Sequence, residues 1–222
     1  MKEKNFIPLK DFPNFDEDEM LERSKFFKEY LRKRRSIREF SSKKIPIDVI
    51  KNCLLAAGTA PSGANMQPWH FVVITNSLIK RKIRIEAEKE EREFYENRAP
   101  DEWLEALTPF GTDSSKPFLE NAPVLIAVFE KKYHLDLKGN KVKHYYIKES
   151  VGISVGMLIT SLHYSGLATL THTPSPMNFL NGILGRPRNE KPFLILVVGY
   201  PAENVKVPDI KKKELEVIST FV

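Results

Sequence analysis

The sequence predicts an α+β protein in which helices cover both faces of a β-sheet. Apolar, β-branched runs typical of buried strands alternate with longer stretches of helical periodicity, and no repeat or linker divides the chain. Strands that are apolar on both faces indicate a sheet covered on both sides. The predicted order is helix, helix, strand, long helix, flap, strand, core helix, strand, helix, strand and a charged tail.

The predicted helices are recognised by their end signals and apolar spacing. Residues 16–34 carry acidic residues first and basic residues last, the order that the helix dipole favours. After Pro46, apolar residues recur at helical spacing until Gly58, which indicates a short buried helix. Further helices are predicted over 77–98, 145–165 and 177–187.

Four apolar segments are predicted as strands, namely 70–75, 122–131, a short run within 165–174, and 192–201. Residues 99–117 are polar, aromatic and interrupted by prolines, so we interpret them as a flap. The tail is charged but ends in VISTFV, an apolar strand-like segment without an obvious partner. We therefore expect a dimer with exchanged C-terminal arms.

Composition places the chain among ordinary globular proteins. Its 222 residues, 41% hydrophobic and 29% charged, predict one domain with an N-terminal arm (1–33), a lid (about 91–117) and a C-terminal arm (about 202–222). Cys53 is the one cysteine, so we expect no intramolecular disulfide and a cytoplasmic location. The longest apolar stretch, 193–200, is too short to cross a bilayer, and we expect no membrane contact.

The net charge of +6 raises the hypothesis of a nucleic-acid-binding protein that uses residues 31–44 as a basic arm. The 29 acidic residues make the surface mixed, so we expect no nucleic-acid partner. The basic clusters at 31–44 and 206–213 could instead converge on one anion. The five histidines show no spacing typical of a metal site, and we expect no metal.

Two motifs could hold a phosphorylated ligand. RRSIR (34–38) offers forked guanidinium donors and a hydroxyl suited to a phosphate, although a solvated basic helix end is the alternative. In PSGAN (61–65), Ser62 and Gly63 allow close approach of the backbone to a ligand, although an ordinary turn has the same composition. Neither G-x-G-x-x-G nor a Walker loop occurs, so arginines are expected to hold any phosphate.

Two further groups could act on a substrate. In TLTHTP (169–174), Thr171 and Thr173 point to the same side of a strand, where a threonine could tune a flavin at N5; an edge strand is the alternative. Glu91, Tyr95 and Lys116 supply an anion, a phenol and a cation that together could bracket a zwitterion, or they are solvated surface groups.

In combination, RRSIREF, AAGTAPSGANMQPWHFVV, HYY-x-x-ES, THTP, LGRP and VGYP resemble the nitroreductase superfamily of flavoproteins. The similarity runs from about Arg34 to the C-terminus and preserves order and spacing. The resemblance implies a nitroreductase-like fold in which helices flank a mixed sheet, with FMN as the cofactor. It also implies an intertwined homodimer with an exchanged C-terminal arm and both active sites at the subunit interface.

The resemblance also implies roles for individual residues. Those implied to bind FMN are Arg34, Arg35, Ser36, Arg38, Ser62, Gly63, Thr171, His172, Thr173 and, in the tail, Lys212. Thr173 is expected at N5 as the catalytic residue. Lys212 stands where relatives carry arginine, so it offers a point charge instead of a fork.

The substrate is implied by the lid. Glu91, Tyr95 and Lys116 are similar to a trio that grips the amino and carboxylate groups of an amino acid, and the backbone N–H of Ala64 is expected to meet the substrate phenolate. The implied activity is reductive dehalogenation of mono- or diiodotyrosine, with electrons supplied by an NADPH-linked reductase because no nicotinamide motif is visible. The alternative is a general FMN nitroreductase or quinone reductase with broad aromatic substrates.

Overall fold

A computed structural model describes residues 6–222, and the chain divides into two compact units, Met1–Arg34 and Arg35–Val222. The first unit contains α1 (Glu17–Arg32). Asp16 caps this helix because its carboxylate accepts a hydrogen bond of 2.9 Å from the backbone N–H of Glu19. The helix predicted at 16–34 is thus confirmed, and none of its residues is buried.

The second unit contains the other helices and the strands. Its helices are α2 (Ile47–Gly58), α3 (Ser77–Glu93), α4 (Asp101–Leu107), α5 (Phe118–Asn121), α6 (Ile147–Tyr164), α7 (Phe179–Ile183) and α8 (Leu215–Ile218). Its strands are β1 (Trp69–Ile74), β2 (Val124–Lys131), β3 (Tyr133–Leu135), β4 (Lys141–Lys143), β5 (Ala168–His172) and β6 (Glu190–Gly199). A π-turn, Phe94–Arg98, follows α3 directly.

The main sheet has four strands in the order β1-β2-β6-β5, and all neighbours in it are antiparallel. We expected a mixed sheet, and among residues 6–222 its parallel component is limited to one isolated bridge between Ser36 and Thr169 at the outer edge of β5. Phe40 forms a second, antiparallel bridge with Pro201. Residues 36–40 therefore follow the sheet edge without forming a strand, and the α+β class is confirmed.

Two apolar cores lie on the two faces of the sheet, because successive side chains of a strand point in opposite directions. In β2, Ile126 and Val128 face a core that α2 and α6 cover. Leu125 and Phe129 face the other core, which α3, α5 and α7 cover. The sheet is thus covered on both sides, as its continuous apolar strands predicted.

Two segments differ from the sequence-based expectation. The flap at 99–117 contains α4, none of whose residues is buried. VISTFV was expected to be strand-like, but α8 includes its first two residues, and the segment has no strand partner in the described chain. Away from a sheet edge, a short segment pairs its backbone groups locally, and a helical turn does this. Within residues 6–222 no helix is both long and apolar enough to cross a membrane.

Candidate active site

A cavity of about 340 Å³, here called the lid cavity, lies between the end of α3, the flap and the end of β5. Its walls include most of the side chains expected at the substrate and the flavin ring. Those predicted residues are Arg38, Glu91, Tyr95, Lys116, Thr171, His172 and Thr173. The structure therefore brings together residues that are separated by more than a hundred positions in the sequence.

The helix α3 carries two of these side chains to the cavity. It begins at Asn76, whose side-chain oxygen accepts hydrogen bonds from the backbone N–H groups of Leu78 and Ile79 at 2.9 and 3.1 Å. Glu91 lies in its last turn and Tyr95 in the π-turn that follows. That turn ends where the N–H of Ala99 bonds to the carbonyl of Phe94 at 2.8 Å, one residue before a proline.

Lys116 joins the flap to α3. Only 3% of this residue is exposed, and its Nζ lies 3.1 Å from the Oε2 of Glu91. The same ammonium donates to Thr112 Oγ1 at 3.1 Å and to the carbonyl of Asp113, and it lies 5.5 Å from the centroid of the Tyr95 ring. Lys116 therefore contacts the Glu91 carboxylate directly and lies beside the Tyr95 ring, so all three side chains line one cavity.

The backbone of the flap is anchored independently of these side chains. The N–H of Lys116 donates to Glu88 Oε1 at 2.7 Å, and Arg84 Nε donates to the same oxygen at 2.8 Å. Burial raises the pKa of Glu88, but the bonds from Arg84 and from the Lys116 N–H outweigh burial, so the pKa lies below its ordinary value. An ionised Glu88 therefore holds the end of the flap against α3.

His172 ends β5 and has a different environment from the two threonines beside it. Thr171 in the strand and Thr173 just after it are exposed, whereas His172 is 7% exposed and packs edge-on against Phe118. Burial, together with the positive charge of Lys116, lowers the pKa of His172 to about 3. Its Nε2 is buried without a hydrogen-bond partner. The site therefore contains a neutral imidazole with one unsatisfied nitrogen.

A second cavity of about 330 Å³, here called the basic cavity, shares Arg38, Thr112 and Phe118 with the lid cavity. Ser36 and Lys206 line it together with Arg38, and the acidic Glu39 also contributes. A hydroxyl with two cations is donor chemistry suited to a phosphate group. Sequence reasoning missed Lys206, although the basic cluster at 206–213 contained the signal.

The loop after α2 lies outside both cavities. Ser62 Oγ accepts a hydrogen bond from the N–H of Gln67 at 3.0 Å. A side chain at Gly63 would meet the rings of Tyr145 and Tyr146 at 3.0 Å, which explains the glycine. Ala64 has a left-handed φ of 46°, a strained conformation for a residue other than glycine. This predicted loop therefore does not reach the lid cavity of the same chain.

The remaining predicted cofactor residues are placed as follows. Arg34 ends the first unit, and its N–H bonds to the carbonyl of Leu31 at 3.0 Å. The side chain of Arg35 donates to the carbonyl of Pro208, which ties the edge of the sheet to the tail. Lys212 is exposed and lines neither cavity.

Among the residues that the structure describes, no cluster of three or more His, Cys, Asp or Glu side chains could hold a metal ion.

Comparison with known proteins gives close relatives over nearly the whole chain. An iodotyrosine deiodinase of Haliscomenobacter hydrossis is 54% identical over 215 residues, which are 96% of each chain. The human iodotyrosine deiodinase 1 is 41% identical over 210 residues, 94% of this chain and 73% of the human protein.

Solved structures show the same architecture. An oxidised iodotyrosine deiodinase bound to FMN and 3-iodo-L-tyrosine matches with a TM-score of 0.74 at 31% identity, covering 88% of this chain and 100% of that one. A Bacteroides fragilis nitroreductase with bound FMN matches with a TM-score of 0.64 at 20% identity, covering 88% and 98%, and shows the shared fold alone. The family model described as the nitroreductase family matches residues 31–200, a range that contains the whole lining of the lid cavity. The chain belongs to the nitroreductase family.

Proposed function

We propose that this protein is an FMN-dependent enzyme that reductively removes iodine from iodotyrosine and releases iodide and tyrosine. The observation that carries the proposal is the contact of the buried Lys116 with Glu91 and with the Tyr95 ring, in a cavity that Thr171 and Thr173 also line. A relative that is 54% identical over 96% of both chains is an iodotyrosine deiodinase, which supports the same reaction here.

The residues present fit FMN. The basic cavity offers Ser36, Arg38 and Lys206 to a phosphate. His172 lines the adjacent lid cavity together with Thr171 and Thr173, and its Nε2 has no partner in the described fold. When bound, FMN supplies the electrons for breaking the carbon–iodine bond. We assign Thr173 to flavin N5, and Arg34, Arg35 and Lys212 stay predicted as further phosphate partners.

The lid cavity can orient an amino acid by its two charges. Glu91 would accept hydrogen bonds from the substrate ammonium, and Lys116 would donate to its carboxylate. The aromatic and apolar side chains of Phe94, Trp103 and Leu107 line the same cavity and can pack on the halogenated ring. Binding energy from the charged end would thereby place the reacting ring and exclude water.

We also propose a homodimer in which the second copy completes the site. The loop with Ser62, Gly63 and Ala64 lines neither cavity of its own subunit, so its predicted contacts require a neighbouring copy. The adjacent helices α2 and α6 leave Leu55 and Ile153 exposed, and nothing would contact a Cβ at Gly152 or Gly156. Such an apolar face with small residues is suited to close packing against the same face of a second chain.

An electron donor and a cellular location complete the proposal. An NADPH-linked reductase would supply electrons, because the sequence has neither of the glycine-rich loops that bind dinucleotides or nucleotides. A cytoplasmic location is consistent with a single cysteine, Cys53, that is buried and reduced.

The test is an anaerobic titration of the reduced, FMN-loaded protein. Adding diiodotyrosine should reoxidise the flavin, restore its yellow absorbance and release iodide in proportion. If the flavin stays reduced and no iodide appears, the proposed reaction is wrong. A broad nitroreductase would instead reoxidise with nitroaromatics or quinones only.

The variant E91Q separates these two functions in the same assay. Loss of the anion should weaken iodotyrosine binding at least about 30-fold, because the ligand ammonium is left buried and unpaired. A nitroaromatic has no ammonium, so its reduction should change much less. The matched control is E93Q, an exposed carboxylate at the end of the same helix, which should behave as the wild type with both substrates.

A further inference from the structure

The ammonium of Lys116 has a full set of acceptors in this structure. An ammonium carries three N–H donors, and three oxygens lie within bonding distance. These are Glu91 Oε2, Thr112 Oγ1 and the carbonyl of Asp113. A substrate carboxylate can therefore bind Lys116 only by replacing one of the three.

Thr112 connects Lys116 with Tyr95. Its hydroxyl oxygen accepts from Lys116 Nζ at 3.1 Å and from the Tyr95 hydroxyl at 3.3 Å. A threonine oxygen has two lone pairs, so both are used by side chains that we assign to the substrate. Thr112 also lines both cavities. Nothing in the sequence pattern pointed to this residue.

The charges of an amino acid indicate which acceptor of Lys116 leaves. A zwitterion brings an ammonium that can replace Lys116 as the partner of Glu91, while its carboxylate takes the place of Glu91 at Lys116. The zwitterion offers no comparable replacement for the hydrogen bonds that Thr112 and the Asp113 carbonyl accept from Lys116. Exchange at Glu91 therefore leaves both buried charges paired, which keeps the cost of their burial low.

We infer that Thr112 is a positioning residue that holds Lys116 and Tyr95 in place while the substrate zwitterion exchanges with the Glu91–Lys116 ion pair. The inference rests on the proposed function and deepens it, because it makes the lid selective for ligands that carry both charges. Thr112 acts through its two neighbours and need not touch the substrate. The flap backbone has its own anchor in the bond from the Lys116 N–H to Glu88, so removal of the hydroxyl should not release the flap.

The test compares T112V, which keeps the shape but loses the hydroxyl, with T112S, which keeps the hydroxyl. The dissociation constants of 3-iodotyrosine and 2-iodophenol are measured on the FMN-loaded proteins by flavin fluorescence quenching and by calorimetry. The phenol lacks both charges, so the ratio of the two affinities reports on the zwitterion contacts. T112V should lower this selectivity ratio about tenfold, and T112S should stay within about threefold of the wild type, as expected for loss of a hydrogen bond to a charged group.

The control is T108V in the same flap. The Thr108 hydroxyl bonds to the carbonyl of Leu104 within the flap and lines neither cavity, so this variant should keep the wild-type ratio. T112A replaces T112V with the same expectation if T112V does not fold. An unchanged ratio in T112V, or an equal loss in T112S, overturns the role of Thr112 while the proposed function stands. Failure of the wild type to bind iodotyrosine overturns both.

Discussion

Individual side chains of the site owe their properties to their neighbours. Glu91 and Tyr95 are four residues apart, and this spacing alone placed them on one face of a helix. Their contact with Lys116 depends on the flap, which returns to α3 through the bond between the Lys116 N–H and Glu88. The places of Thr112 and Trp103 in the lid cavity could not be inferred from sequence, because isolated polar and aromatic residues occur on every surface.

His172 makes the stability of the fold depend on pH. The unfolded chain takes up a proton on this residue near its ordinary pKa of 6.5, whereas the folded protein does so only near about 3. The stabilising contribution is therefore complete above pH 6.5 and is lost as the pH falls towards 3. Between pH 6.5 and pH 5 the expected loss is about 1.6 kcal/mol, because half of the unfolded chains already carry the proton at pH 6.5.

The variant H172Q, which cannot titrate, tests this prediction. The free energy of unfolding is measured by urea denaturation at both pH values with equal FMN loading. The wild type should lose about 1.6 kcal/mol more than H172Q over this interval. The other ionisable groups are common to both proteins, so equal losses would contradict the assigned titration.

At the scale of elements, one buried lysine connects α3 with the junction of α5 and β2. Lys80 Nζ donates to the carbonyls of Glu120 and Ala122 at 2.8 and 2.6 Å. These carbonyls lie where α5 ends and a strand begins, so the helix itself does not satisfy them. Burial lowers the pKa of Lys80, yet the two carbonyl oxygens give its ammonium partners inside the fold.

Replacing Lys80 by methionine should destabilise the protein by about 2 kcal/mol, because two carbonyl oxygens lose their donor while the apolar stem is kept. The matched control is K82M, an exposed lysine on the same helix, which should change stability by less than about 0.5 kcal/mol. Both are measured by urea denaturation. If K80M matches K82M, the junction does not depend on these bonds.

For the whole molecule, the proposed dimer explains the exposed apolar side chains of α2 and α6. Leu55 on α2 is 71% exposed and lies on the proposed interface. Ile85 is also exposed, at 53%, but it lies on α3, which covers the opposite face of the sheet. A stable dimer typically buries about 1,200–2,000 Å² in total, an area that a face formed by two helices and the C-terminal arm could supply.

The variant L55R should prevent this dimer, since an arginine on the proposed interface would bury a charge without a partner. Light scattering after gel filtration should give about twice the chain mass of 25.6 kDa for the wild type and the mass of one chain for L55R. L55R should also retain less FMN, because the second copy completes the site. I85R should remain dimeric; a dimeric L55R or a monomeric wild type would refute the interface.

The sequence by itself determined the fold class, the helices α1 to α3 and the strands β1, β2 and β6, because their periodicity and end signals are local properties. It also predicted the lid trio, through helical spacing and family resemblance. The tertiary structure alone decided that the sheet is antiparallel and that His172 is neutral and buried. It also decided that Thr112 lines both cavities and that Lys206 lines the basic cavity. These features depend on which distant segments meet, because burial and hydrogen bonding between such segments leave no periodic signal in either one.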